Sequence, residues 1–264
     1  MVSRGIIGGV LAISVLLAAK PTQADITLKV SGSDGLNPTI QVRNGKGRMS
    51  ADGMSEYLIY DSRTETITYV EPQQQQYTQV TVQELEATVQ MAESMKQSVA
   101  PYMDNMLAGL SAQQRERIEQ RMGGIVSAPA AGKPAAIRTV PRGRHTIAGL
   151  RCQATGIVKN GRPAAEVCMA KAASGKLSAQ DFATLESLVT LSRNLAGTVS
   201  GLLGDVGAQI ELFAIELDGI PVAVRDIEHG KRYQVTAVSN AVLPDAQFCG
   251  HGKYQKRAMP ALFR

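Results

Sequence analysis

Tyr57-Leu-Ile-Tyr-Asp-Ser-Arg-Thr-Glu-Thr-Ile-Thr-Tyr-Val70 decides the fold class. The runs Glu56 to Tyr60, which opens it, and Thr66 to Val70, which closes it, are rich in Tyr, Ile, Thr and Val, which suit a pleated, half-buried surface. Asp61-Ser-Arg-Thr64 between them supplies turn chemistry. Working outward, Ile26 to Val30 and Thr39 to Arg43 alternate apolar and polar residues with period two. Tyr77 to Val82 does the same beyond the polar loop Pro72-Gln-Gln-Gln-Gln76. Gly and Asn clusters at 32–38 and 44–47 are expected to turn the chain. The N-terminal third therefore predicts an antiparallel meander of about five strands.

After Thr81 the period changes. Leu85, Val89, Ala92, Met95, Val99, Met103, Met106 and Leu110 recur at three- and four-residue steps and make one apolar helical stripe. Pro101 lies inside that stripe and predicts a kink or a restart. Ser111 to Gln114 resembles a capping box for a second helix, ending near Met122 before Gly123-Gly124. Residues 123–136, rich in Ala, Pro and Gly, read as a flexible segment. Strands resume from Arg138 to Leu150 and continue through a hairpin. Ser178-Ala-Gln-Asp181 then caps a helix whose apolar face carries Phe182, Leu185, Leu188, Val189, Leu191 and Leu195. After a flexible turn at Gly201 to Gly207, strands are expected over Ile210 to Leu217, Ile220 to Arg225 and Arg232 to Ser239. Strands, helices, strands, helix, strands is the order of an α+β fold with helices on one face of an antiparallel sheet.

Met1 to Ala24 reads as a signal peptide. Arg4 makes the positive n-region, Ile6 to Ala19 the apolar core, and Thr22-Gln23-Ala24 the small-residue cleavage site. The apolar run falls short of the ~20 residues needed to span a bilayer. Cleavage after Ala24 and a periplasmic location are expected, with residues 25–264 forming a single domain. In such an oxidising compartment Cys152 and Cys168 are expected to pair. They flank Asn160-Gly161, the strongest short hairpin signal. A two-residue turn pairing Lys159 with Arg162 puts the cysteines on opposite faces. A three-residue loop with Gly161 in a bulge pairs Val158 with Arg162 and sets Cys152 directly opposite Cys168, and the bond predicts this second geometry. Cys249 is left as a free thiol beside His251, either reactive or a metal ligand or, on the favoured reading, a buried or merely tolerated Cys.

The 264 residues include three His, three Cys and no Trp, with 28 basic against 23 acidic residues. Such a mild excess, without a dense Lys/Arg stripe, argues against a nucleic-acid partner. No catalytic nucleophile elbow, metalloprotease helix motif, P-loop or C-x-x-C pair is present, and the three His have no ligand-like spacing. A non-enzyme with no cofactor is the expectation; a copper-handling protein or a hydrolase is the less favoured reading. The methionines Met91, Met95, Met103 and Met106 have three readings: an ordinary core, an adaptable wall for an acyl chain, or a copper site. Leu85, Val89, Met95, Val99, Met103 and Met106 are the candidate apolar lining for a ligand. Arg138, Arg142, Arg144 and Arg151, with His145, gather before the hairpin, and Lys253, Lys256, Arg257 and Arg264 form a basic tail. Both suit either a solvated face or docking to an anionic membrane surface or envelope protein.

The run Tyr57 to Val70, the helical insertion, Thr146-Ile-Ala-Gly-Leu-Arg-Cys152, the second Cys ahead of Met169-Ala170, and Asp218-Gly-Ile-Pro-Val222 occur in a familiar order. Together they resemble an uncharacterised family of exported Gram-negative domains, similar in architecture to the periplasmic lipoprotein carriers LolA and LolB. The resemblance implies a curved, incomplete antiparallel barrel with helices on its concave face and a helical insertion at about 82–122. It also implies a lipid or acylated ligand held without catalytic residues. The function expected is a non-catalytic periplasmic binding or carrier protein; the alternative is an envelope structural or interaction protein with a filled core.

Overall fold

The computed structural model describes residues 25–111, 136–172, 174, 176–199 and 217–258. The expected signal peptide, the second helix beyond Ser111, residues 123–135, the turn at 201–207 and the strand over 210–216 lie outside those residues. One twelve-stranded sheet dominates, with the order β12-β6-β5-β4-β3-β2-β1-β11-β10-β9-β8-β7. It is unclosed, and every pairing is antiparallel except β12 on β6.

The meander comprises β1 (Ile26–Gly32), β2 (Pro38–Arg43), β3 (Lys46–Ala51), β4 (Tyr57–Asp61), β5 (Thr66–Glu71) and β6 (Gln76–Thr81). β3 stands where only a turn was expected. Asn44 (φ 49°) and Gly45 (φ 80°) make a two-residue turn between β2 and β3. Lys-Gly-Arg-Met-Ser-Ala carries no β-branched residue, so its strand identity comes from its neighbours. Val80, Ile67, Tyr60, Gly47, Val42 and Ile26 form one cross-strand row, and Tyr69, Leu58, Met49, Ile40 and Leu28 form the next.

Helix α1 (Val82–Ala108) opens on a capping box: Thr81 N–H donates to Glu84 Oε2 at 2.8 Å, and Glu84 N–H donates to Thr81 Oγ1 at 3.0 Å. It runs unbroken through Pro101 rather than restarting there. α1 rests on β6 and on the second helix, α2 (Ala179–Val199). α2 also begins with reciprocal bonds, Ser178 Oγ to Asp181 Oδ2 at 2.6 Å and Asp181 N–H to Ser178 Oγ at 3.1 Å. Burial and the neighbouring Asp25 carboxylate raise the Asp181 pKa, opposed by its Ser178 bonds. Phe182 and Leu185 enter the main core with Ile26, Leu28, Val42 and Val222, while Leu188 and Leu191 pack on Tyr60 and Ile67.

The second half of the sheet is β7 (Ile137–Ile147), β8 (Leu150–Lys159), β9 (Arg162–Ala170), β10 (Ile220–Asp226) and β11 (Arg232–Asn240). β11 pairs with β1 and joins the two halves. The Cys hairpin departs from the expected register. Its turn is the two-residue form, with Asn160 at φ 51°, Gly161 at φ 80° and Lys159 opposite Arg162. A bulge with Ala164 as the extra residue then shifts the pairing by one, so Val158 meets Pro163 and Ile157 meets Ala165. Ala154 therefore lies opposite Cys168, and Cys152 opposite Ala170. The bulge restores the shared face that the tight turn removes, and the cysteines meet diagonally. Their sulfurs lie within bonding distance, with Cα atoms at 5.4 Å.

The C-terminal segment crosses the other face of the meander. It contains α3 (Ala246–Cys249), a 3-10 turn (Gly250–Lys253) and β12 (Gln255–Arg257). Phe248 is buried, the His251 ring stands edge-on 5.1 Å from Tyr77, and Gln255 N–H donates to Gln75 O at 2.9 Å. The expected basic tail is thus partly a strand, with Lys256 Nζ donating to Gln79 Oε1 at 3.2 Å. Asp25 secures the crossing: its Oδ2 accepts from Leu243 N–H at 2.6 Å and pairs with Arg43 at 3.1 Å, and Arg43 also pairs with Asp245 at 3.0 Å.

Candidate functional site

Between α2 and the face of the sheet it covers lies a cavity of about 580 Å³. That is the size range of small-molecule sites. Leu28 and Val30 of β1, Pro38 and Ile40 of β2, and Met49 of β3 form one wall. Ile220 to Val224 of β10 and Tyr233 to Val235 of β11 form the opposite wall, and Leu185, Leu188, Val189 and Ser192 of α2 close the top. The local reason is register. Leu28, Ile40 and Met49 are direct cross-strand partners, and so are Val224 and Tyr233, so each row delivers its side chains to one place. An extra residue, Val222, shifts the β10–β9 register between Pro221 and Ala223. Cys168 and Ala170, on either side of the shift, join the main core; Val167 and Met169, likewise on either side, form a separate cluster with Val224 and Ile157.

Leu28, Leu185, Leu188, Ile220, Val222 and Val235 are buried, whereas Val30, Pro38, Ile40, Met49, Val189 and Tyr233 are half-buried. The half-buried set marks the open side. Two polar side chains of the wall are already engaged. Ser192 Oγ donates to Leu188 O at 2.9 Å, and the Tyr233 hydroxyl donates to Asp34 Oδ2. Burial, followed by the Asp34 hydrogen bond and charge, pushes Tyr233 up to about 12, while the same bond holds Asp34 below its ordinary value. Tyr233 stays a neutral donor to Asp34 and provides no base at neutral pH. The chemistry this wall supplies is apolar contact.

A second hollow, of about 510 Å³, lies between the first turn of α1 and the middle of α2. Glu65, Glu86, Glu186 and Asp218 line it with Arg193, whose Nη2 donates to Leu217 O at 3.4 Å. Among the described residues no three or more His, Cys, Asp or Glu converge where they could hold a metal ion.

The candidate lining residues on α1 are placed as follows. Leu85 is half-buried against the Tyr60–Leu188 cluster, Val99 is 48% exposed, and the side chains of Val89, Met95, Met103 and Met106 fall outside the described set. Among the described residues, the cavity wall comes instead from α2 and five strands. Leu185, Leu188 and Val189 were legible as one helix face, but which sheet face met them was not. Cys249 is exposed, its Sγ donating to Asp245 O at 3.1 Å. Among the described residues no helix is long and apolar enough to cross a membrane.

No family model and no curated protein matches the chain. Among solved structures it is similar to an uncharacterized conserved protein from Thermus thermophilus, at 9% identity over 90% of this chain and 92% of that one, with a TM-score of 0.37.

Proposed function

We propose that this protein is a non-catalytic binding or carrier module of the cell envelope, exported through cleavage after Ala24, whose cavity holds the acyl chain of a lipid or acylated ligand. The observation that carries this reading is the apolar void of about 580 Å³ between α2 and the sheet. The unclosed antiparallel order suits a curved half-barrel wrapped around α2, as in LolA- and LolB-like carriers. Export is supported by the pattern of residues 1–24 and by a cysteine pair at bonding distance.

The energetics favour a hydrocarbon occupant. Each buried methylene contributes about 0.8 kcal/mol, so ten contribute about 8 kcal/mol. That exceeds the lower estimates, about 4 kcal/mol, for the cost of association. A polar ligand would have to surrender water against a wall that is mostly apolar.

The test combines extraction with cavity filling. Native protein purified without detergent should release an acyl compound into organic solvent, detected by mass spectrometry. Stripped protein should enhance the fluorescence of N-phenylnaphthylamine, and Val189→Phe should abolish that gain while leaving the fold as stable or stabler. If the wild type yields no acyl compound and no fluorescence gain, and Val189→Phe destabilises by the roughly 1–3 kcal/mol of an overpacked core, the protein has a filled core and the carrier reading fails.

A further inference from the structure

Positive charge is concentrated on one edge of this sheet. Between Ile137 and Ala165 the chain carries six Lys and Arg and none of its 23 Asp and Glu, leaving the rest, with 22 Lys and Arg, one charge negative. Those residues are β7, β8 and the start of β9, and β7 ends the strand order. Arg138, Arg142, Arg144, Arg151 and Arg162 are all exposed there, as is His145. Nine of the 11 residues of β7 are exposed, and Ile137, 53% exposed, adds an apolar side chain at the same edge.

We propose that this edge docks the protein onto an anionic phospholipid surface. A lone edge strand could instead recruit another strand, but β7 is ill-suited to that. Pro141 has no N–H to donate. The register breaks between Pro141 and Gly143, leaving Arg142 extra and its guanidinium over Gly156. A proline and a bulge are the devices that blunt an edge against strand addition. What remains is a field of exposed guanidinium groups, which engage phosphate oxygens in pairs. A bilayer of anionic headgroups demands charge density, not backbone register. Charge placement and the blunted edge favour this docking whatever the cavity holds.

The experiment is co-sedimentation of the full chain with vesicles of equal parts phosphatidylglycerol and phosphatidylcholine, and with phosphatidylcholine alone. Binding is expected to the anionic vesicles only, and to vanish near 1 M salt, where the screening length is ~3 Å. The triple variant Arg138→Gln, Arg142→Gln, Arg144→Gln should weaken partitioning on the order of 100-fold. The same number of charges removed at Lys253, Lys256 and Arg257 should change it far less. The triple Arg→Lys variant should keep binding, and provides the comparison if the Gln variant does not fold. Equal losses from both sites, vesicle binding insensitive to the β7 changes, or no vesicle binding at all would overturn the proposal. So would β7-dependent binding of poly-glutamate in place of vesicles, which would assign the edge to an acidic protein. Uptake of N-phenylnaphthylamine, measured on the same variants, reports the cavity separately.

Discussion

Gly47 shows how one absent side chain sets the distance between a helix and a sheet. A Cβ built there would lie 2.5 Å from Cδ1 of Leu188. Leu188 also lines the cavity, so α2 approaches β3 closely at Gly47 while leaving space beside it. The nearest atom is the tip of a side chain and not backbone, which limits the cost of adding a methyl group. Gly47→Ala should therefore rotate Leu188 into the void and destabilise by about 1 kcal/mol, the order of an off-rotamer side chain. It should also reduce N-phenylnaphthylamine uptake. Gly47→Val, with more bulk than one rotamer change absorbs, should cost about 1–3 kcal/mol. Urea midpoints for the two variants, read beside dye uptake, check both statements. A stable Gly47→Val with unchanged uptake would mean that α2 does not sit against β3 as described.

At the scale of elements, what could be read from the sequence followed the strength of local chemistry. Tyr57 to Val70 gave its hairpin because aromatic and β-branched residues alternate there, and Ser178 opened its helix because capping leaves a polar signature; α1 was placed by its change of period, without its Thr81–Glu84 capping box. β3 was missed because Lys-Gly-Arg-Met-Ser-Ala has neither signal and is held by β2 and β4. The cysteine pair was legible, but its diagonal arrangement was not, because the Ala164 bulge has no sequence mark. The cavity wall was hidden for a similar reason: it depends on which sheet face meets α2, a matter of long-range pairing. The bond itself closes a 16-residue separation across two strands already hydrogen-bonded. Replacing both cysteines by Ala should lower stability by roughly 3 kcal/mol, and a thiol count of denatured, unreduced protein should find only Cys249. The C-terminal crossing makes a separate prediction. Burial, with Lys46 acting in the same direction, holds His251 below its ordinary value of 6.5, and its Nδ1 is buried without a partner. The folded state thus binds this proton more weakly than the unfolded chain does. The stability is complete above pH 6.5 and is lost as pH falls below it, through the folded value. His251→Phe, which keeps a ring against Tyr77, should lose less unfolding free energy than the wild type between about pH 7.5 and about pH 5.

At the scale of the molecule, the decisive contact is the one between the two ends of the chain. β1 opens the described residues and β11 lies more than 200 positions later, yet they pair along seven residues of β1. Their union places Ile26 and Leu28 in the same core as Cys152, Ala170, Ile220 and Phe182. Neither half of the sheet keeps that core without the other, and α2 is seated on both. Asp25 adds a polar lock at the same junction, tying the start of β1 to Arg43 of β2 and to Leu243 beyond β11. Contacts so distant in sequence form late and are lost together, because closing the long loop between them is worthwhile only once the shared core assembles. The chain should therefore unfold in one transition, with no intermediate in which the meander survives alone. Phe182→Trp would place a reporter in the shared core, while far-UV circular dichroism follows the whole sheet, and the two urea curves should coincide. Asp25→Asn should shift both curves by the same amount, roughly 1–3 kcal/mol, because it weakens a buried charge pair and one hydrogen bond at the seam. A dichroism curve that trails the tryptophan curve would show that part of the sheet persists without α2, and that the two halves are separate cooperative units joined by a weak seam.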